Sequence, residues 1–217
     1  MKKTIHNRGQ AKLFDHPGLE ILTKTKPWII YVIYIPINIS FVYYAYTIYG
    51  YSVGSIAGIF ILAMFFWTLT EYLVHRSLFH FQARSKFGQR LVYIFHENHH
   101  EFPRDKMRLF MPPVPSIIIA AMLLLVCLAV SYLFSGSMGY ALVFFSGFIS
   151  GYLLYVSMHF AIHAYKPPKY LKPLWRNHHL HHYKYPDKAF GVSSVLWDKI
   201  FGTVPEKEIR KDRRKPF

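Results

Sequence analysis

Cysteine is nearly absent: Cys127 is the only one in 217 residues. Intrachain disulfides, cysteine-ligated zinc and thiolate-bound iron–sulfur clusters are thereby excluded. Charge is missing from two long stretches. Residues 27–70 and 109–165 contain no Lys, Arg, Asp or Glu, and the 26 basic residues are confined to 2–26, 76–108 and 166–215. Acidic residues are scarce, 11 in all, so the formal net charge is +15. No internal repeat or low-complexity linker interrupts the chain. The first 27 residues lack the apolar run and small-residue cleavage site of a secretory leader, which predicts that they are not one.

Apolar and aromatic side chains fill the uncharged stretches; the chain is 53% hydrophobic and 18% aromatic. Each stretch is about twice the ~20 residues that one membrane helix needs. Each is broken in the middle by a turn-like segment, Tyr49–Gly54 and Phe134–Gly139. The expectation is an all-α integral membrane protein of four transmembrane helices, arranged as two hairpins with spans at 28–48, 54–74, 114–134 and 140–162. A soluble bundle would have placed some Lys or Arg on its helix faces. The hairpin turns carry no positive charge, so the positive-inside rule puts residues 1–27, 75–113 and 163–217 in the cytoplasm. Residues 1–27 read as a cytosolic N-terminal segment, and 28–217 as a single membrane-embedded domain with a His-rich helical cap. The membrane is the cytoplasmic one in a bacterium and the endoplasmic reticulum in a eukaryote. The basic tail from Lys207 to Lys215 reads as a solvated or headgroup-facing segment, since such stretches gain about 1 kcal/mol per basic residue near anionic lipid. No nucleic acid partner is expected.

Histidine is the residue in excess. Ten of thirteen fall in four clusters: His75 and His80; His96, His99 and His100; His159 and His163; His178, His181 and His182. Imidazole is the commonest side-chain metal ligand. Ten are too many for one tetrahedral site of three or four ligands, so the count points to two metals. All four clusters lie at the predicted cytoplasmic boundary. Residues three and four apart share a helix face, which suits the two HxxHH triples and the 159/163 pair. His75 and His80 are five apart, about 140° around an ideal helix; they need a bent helix end or ligation to different metals. Of the rest, His179 is a candidate outer partner, while His6 and His16 read as ordinary polar residues. Ligating histidines donate their second nitrogen to a carboxylate or carbonyl. Glu71, one turn before His75 and the only carboxylate within the predicted spans, is the leading candidate for that role; Asp198 is another, and Glu97, Glu101 and Asp187 are weaker. Arg76, Arg104 and Arg108 are candidates for holding an acyl carboxylate or lipid headgroup. Imidazole suits iron, zinc, copper and nickel alike, so the ligands do not choose the metal.

Sequence around the histidines is more specific. The run Trp67–Phe81 (WTLTEYLVHRSLFHF), HENHH from His96, and Asp105–Pro115 (DKMRLFMPPVP) resemble the fatty acid 2-hydroxylases of the fatty acid hydroxylase superfamily. The likeness continues through Tyr155–His163 (YVSMHFAIH), His178–Lys184 (HHLHHYK) and Phe190–Thr203 (FGVSSVLWDKIFGT). It reaches back to Leu13–Phe14, Leu19–Glu20, Leu22–Thr25 and Trp28, covering roughly residues 13–205. The His motifs alone are shared with sterol and carotenoid oxidases; the flanking segments narrow the likeness to 2-hydroxylases. The resemblance implies two Fe ions, for which zinc substitutes in purified protein, held by the ten clustered histidines. It implies O2 as co-substrate and hydroxylation at C2 of a long acyl chain, free or in a sphingolipid-like lipid.

Two departures from the family stand out. Its eukaryotic members carry an N-terminal cytochrome b5-like domain with no counterpart around His16-Pro17-Gly18, so electrons are expected from a separate ferredoxin or cytochrome b5 type donor and its reductase. Val156 stands where the family tends to have Asp, and Phe160 where it has Tyr; Ser157 is the nearest polar substitute. Two other readings stay open. One is another lipid oxidase of the superfamily acting on sterol, carotenoid or alkyl chains. The other is a non-enzymatic zinc-binding membrane protein; a metal transporter is disfavoured, because the mid-span and outer segments carry no His, Asp or Glu.

Overall fold

The computed structural model describes residues 4–206; the basic tail lies outside them. The described residues are helical and include no strand. Helix α1 (Pro17–Leu22) is followed by α2 (Pro27–Thr47), α3 (Val53–Leu73), α4 (Lys86–Val92), α5 (Asn98–Glu101), α6 (Pro113–Ser135), α7 (Gly139–Ala164), α8 (Lys172–Tyr183) and α9 (Leu196–Ile200). Four helical segments are long and apolar enough to cross a membrane: Pro27–Thr47, Val53–Phe79, Pro113–Ser135 and Gly139–Ala164.

The second of these runs past the predicted end at residue 74. Helix α3 does not stop where charge begins but passes into a π-helical turn at Val74–Phe79. Arg76, the first charge after the span, is accommodated by donating to the Tyr72 hydroxyl one turn back, at 2.9 Å. A second π-helical turn, Tyr93–Glu97, joins α4 to α5.

Local chemistry sets the other boundaries. Helices α2 and α6 open with a proline in the first turn, where its missing N–H costs nothing. Ser52 caps α3 by accepting from the Ser55 N–H at 3.1 Å. Gly136, at φ 67°, ends α6 in the left-handed conformation that a residue without Cβ adopts freely. The two hairpins meet at their turns, where the Tyr51 ring stacks on Tyr140 at 4.5 Å and its hydroxyl lies 2.7 Å from that of Ser137.

Helix α7 is the spine, packed on α2, α3 and α6. It is half buried, whereas α3 and α6 turn most of their apolar surface outward, as helices facing lipid do. Close approach of α3 to α7 depends on two glycines. A Cβ at Gly147 would collide with the Phe60 carbonyl and stand 2.9 Å from Ala63 Cβ; one at Gly151 would stand 2.6 Å from Trp67 Cβ. Small residues at such crossings let backbones approach where lipid supplies no hydrophobic drive. Hydroxyl pairs tie α2 to its neighbours: Tyr34 to Ser116 on α6, and Tyr31 to Ser157 on α7, each at 2.7 Å.

Gly147→Ala should therefore destabilise the bundle by about 1–3 kcal/mol through overpacking. Thermal unfolding in detergent would read this as a lower midpoint; an unchanged midpoint would mean that the α3–α7 crossing does not require glycine.

Candidate metal centre

All ten clustered histidines converge at the charged end of the bundle. They form two groups of five. The first holds His75, His80, His96, His100 and His181; the second holds His99, His159, His163, His178 and His182, and in each group the available ring nitrogens lie within 4.8 Å of one another. The two groups touch through the rings of His100 and His182, stacked at 4.2 Å.

The partition follows from helix geometry. In each HxxHH triple, the residues at i and i+4 stay together while the one at i+3 crosses to the other group. His96 and His100 thus sit in the first group and His99 in the second; His178 and His182 sit in the second and His181 in the first. The two triples exchange one ligand candidate each, like clasped hands. His75 and His80 share a group despite their spacing of five. The π-helical turn between them is the reason, since its i→i+5 hydrogen bonds bring residues five apart onto neighbouring turns.

Hydrogen bonds on the far side of two rings fix their tautomers. His75 Nδ1 lies 2.6 Å from the Phe190 carbonyl oxygen and His181 Nδ1 2.7 Å from that of Lys188. A carbonyl only accepts, so both Nδ1 atoms carry the proton and both Nε2 atoms are bare lone pairs. His159 also hydrogen-bonds the backbone of Leu109. Yet His75 Nε2 stands 3.0 Å from His96 Nε2, which also stands 3.0 Å from His100 Nε2. In the second group His178 Nε2 faces those of His163 at 2.9 Å and His182 at 3.0 Å. One ring nitrogen carries at most one proton and cannot donate to two neighbours. The Nε2 atoms of His99 and His159 are buried with no partner at all.

Convergent lone pairs of this kind fit a cation. Ligand nitrogens about 2.1 Å from a metal and at right angles to each other stand about 3.0 Å apart, the spacing seen here. Protonation agrees. Burial, reinforced by neighbouring imidazoles, pushes His96, His99, His100, His178, His181 and His182 well below the usual imidazole value, leaving them neutral. Neutral imidazole is the ligating form. Aromatic walls exclude water: Phe79 stacks on His96 at 4.9 Å, and Phe190 lies edge-on to His75. The two groups fit metal-binding sites.

The carboxylates sit one step further out than expected. Neither Glu71 nor Asp198 is seen bonded to an imidazole; both clamp the loop that supplies the carbonyls. Glu71 accepts from the Val192 N–H at 2.6 Å, the Ser193 N–H at 2.9 Å and the Ser193 hydroxyl. Asp198 accepts from the N–H groups of Phe190 and Gly191, both at 2.9 Å, and from the Thr203 hydroxyl at 2.7 Å. Burial raises the Asp198 carboxyl above its usual value, and these donors offset that only in part. Between the Lys188 and Phe190 carbonyls stands Ala189, at φ 59° and fully buried. A non-glycine residue in this region is strained, a condition that clusters at functional sites. Nothing in the side-chain sequence announces backbone acceptors at Leu109, Lys188 and Phe190, although Leu109 and Phe190 fall in the segments DKMRLFMPPVP and FGVSSVLWDKIFGT.

The remaining candidates separate clearly. His179 lies outside both groups, with its ring near Tyr183. Arg108 is buried between Asp105, at 2.7 Å, and Glu20. Glu20 also accepts from the Leu13 and Phe14 N–H groups. Burial raises the Glu20 carboxyl, but those donors and Arg108 outweigh it and hold it below the usual range. These bonds fasten the N-terminal segment to the central loop. Arg104 is exposed. Val156 is part of the apolar core and Phe160 packs on Phe110, while Ser157 turns to Tyr31 on α2 and not to a histidine.

Comparison with known proteins agrees with this architecture. The family model described as Fatty acid hydroxylase matches residues 60–203. Dihydroceramide fatty acyl 2-hydroxylase FAH1 of Arabidopsis thaliana is 32% identical over 202 residues, covering 93% of this chain and 83% of that protein. Ceramide very long chain fatty acid hydroxylase SCS7 of Saccharomyces cerevisiae is 34% identical over 203 residues, covering 91% of this chain and 50% of that protein. A solved structure of full-length scs7p, in which only the hydroxylase domain is visible, superposes with a TM-score of 0.83 at 34% identity, covering 92% of this chain and 74% of that one.

Asp198→Ala should leave two buried N–H donors unmatched, at about 1–3 kcal/mol each. The expected result is faster hydrogen exchange at the Phe190 and Gly191 amides with all ten histidines intact; unchanged exchange there would show that the carboxylate does not hold the loop.

Proposed function

Because this chain belongs to the fatty acid hydroxylase family, we propose that it hydroxylates a long fatty acyl chain at C2, using two iron ions held by the two histidine groups. The observation that carries this reading is the pairing of two five-imidazole groups in direct contact, each with lone pairs converging at about the spacing of metal ligands. Both relatives cited above are named as acyl or fatty acid hydroxylases of ceramide-type lipids. Iron suits oxygen chemistry where redox-inactive zinc would not.

The reaction consumes one O2, two electrons and two protons, and converts a C2–H bond to C2–OH with release of water. Bound iron supplies the activation of O2 and the insertion of one oxygen atom into that bond. The protein's part is orientation and exclusion. The carbonyls of Phe190 and Lys188 hold the protons of His75 and His181 on Nδ1, so each Nε2 stays aimed at its group, and the Leu109 backbone hydrogen-bonds His159. Glu71 and Asp198 keep the first two carbonyls in place through the loop. Phe79 and Phe190 shield the first group from water. The centre lies at the boundary between the spans and the charged segments, the depth at which C2 of a membrane-inserted acyl chain sits beside its polar head. We place that boundary, with both termini, on the cytoplasmic side. A donor of ferredoxin or cytochrome b5 type supplies the electrons.

Expression in a host lacking 2-hydroxy lipids should yield 2-hydroxy fatty acids on hydrolysis of total lipid. His99→Ala should reduce them by more than about 100-fold, beyond what changes to outer partners of metal ligands cost, while still inserting in the membrane. Hydroxylated sterol, carotenoid or alkyl products in their place would move the reading to another oxidase of the superfamily. Metal analysis should find close to two ions per chain. Protein loaded with metal but unable to consume O2 in the presence of acyl substrate and reductant would support a zinc-binding protein instead.

A further inference from the structure

A cavity of about 680 Å³ opens beside the second histidine group. Its buried lining includes Ile162 and Trp175, and the half-buried imidazole of His163, a member of that group, opens onto it. Arg104, Lys106 and Lys166 stand around it, all exposed, and no carboxylate contributes to its lining. Among the described residues, no carboxylate pairs with any of the three. Arg108 and Arg76 are committed elsewhere, Arg108 to Glu20 and Asp105, Arg76 to the Tyr72 hydroxyl.

Three cations around a concave site, with no carboxylate partner among the described residues, call for an oxyanion. Its neighbour His163 says which one. For a carbon beside the second group to be C2 of an acyl chain, the anion must be one bond from it, which is true of a free carboxylate. In a phospholipid the phosphate is several bonds from any acyl C2, and an amide-linked chain carries no charge at C1. We propose that this cavity binds the carboxylate of a free long-chain fatty acid, and that the enzyme therefore prefers free acids to acyl chains in amide or ester linkage. The inference rests on the C2-hydroxylation reading, and Arg104 and Lys166 are its specificity-determining residues.

The test is binding without turnover. The full chain in phosphatidylcholine nanodiscs is loaded with a fluorescent long-chain fatty acid, which is displaced by palmitic acid, palmitamide or dodecyl phosphate at a pH where the acid is ionised. Palmitate should displace at about 10-fold or more lower concentration than palmitamide, and added salt should narrow the gap because exposed charges are screened. Arg104→Glu and Lys166→Glu should each abolish the preference without lowering the unfolding temperature, since both side chains are exposed. Equal displacement by acid and amide, or a preference that survives both reversals, overturns the proposal. Stronger displacement by dodecyl phosphate than by palmitate also overturns it and assigns the cavity to phosphate. If one variant fails to fold, the other decides. Formation of 2-hydroxy acids with no carboxylate preference would defeat this inference alone; carboxylate preference with no 2-hydroxy product would defeat the C2 reading and leave the anion site standing.

Discussion

Ten neutral imidazoles packed into one end of a helical bundle impose a strict condition. Each ring must place its proton on one side and its lone pair on the other, because a buried polar atom left unmatched is costly. Much of the structure around the site meets that condition. The loop at 188–193 presents carbonyls to His75 and His181, and the Leu109 backbone hydrogen-bonds His159. That loop needs its own N–H groups satisfied, and Glu71 and Asp198 supply the acceptors. What began as a requirement of the rings thus reaches, through backbone, to a carboxylate inside a membrane-spanning segment.

The same condition explains why site and bundle are not separable. His159 and His163 belong to α7, the helix on which α2, α3 and α6 pack, and His75 belongs to the continuation of α3. The glycines that bring α3 close to α7 therefore also set the distance between the two histidine groups. A site built on such elements is held more rigidly than one built on loops. The segments that are loops, 102–112 and 184–195, are tied down by buried ion pairs and carboxylate clamps instead.

Charge patterning and histidine count made four spans and ten convergent histidines legible in the sequence, and both are found in the structure. Less was legible where a regular helix was assumed. A period of 3.6 leaves His75 and His80 on different faces, and only the π-helical turn puts them in one group. The same assumption makes each HxxHH triple a single face. In the structure each triple splits between the two groups, which is possible because the groups are in contact. The carboxylates were read as partners of imidazoles, since side chains are what a sequence displays. Backbone carbonyls took that place, and the strained Ala189 between two of them carries no compositional signal.

Charge has a second consequence beyond orientation. Only eleven residues are acidic, and four of these, Glu20, Glu71, Asp105 and Asp198, are turned inward to hold Arg108 or backbone N–H groups. The excess of positive charge on the boundary surface is therefore larger than the sequence count alone conveys: the carboxylates that would offset it are occupied in supporting the site. Arg108 shows the converse, a cation brought inside because two carboxylates are there to receive it. Arg104, four residues earlier on the same loop, has no such partner among the described residues and stays at the surface. The difference between these two arginines comes from the acceptors that the fold had already drawn in to hold its loops.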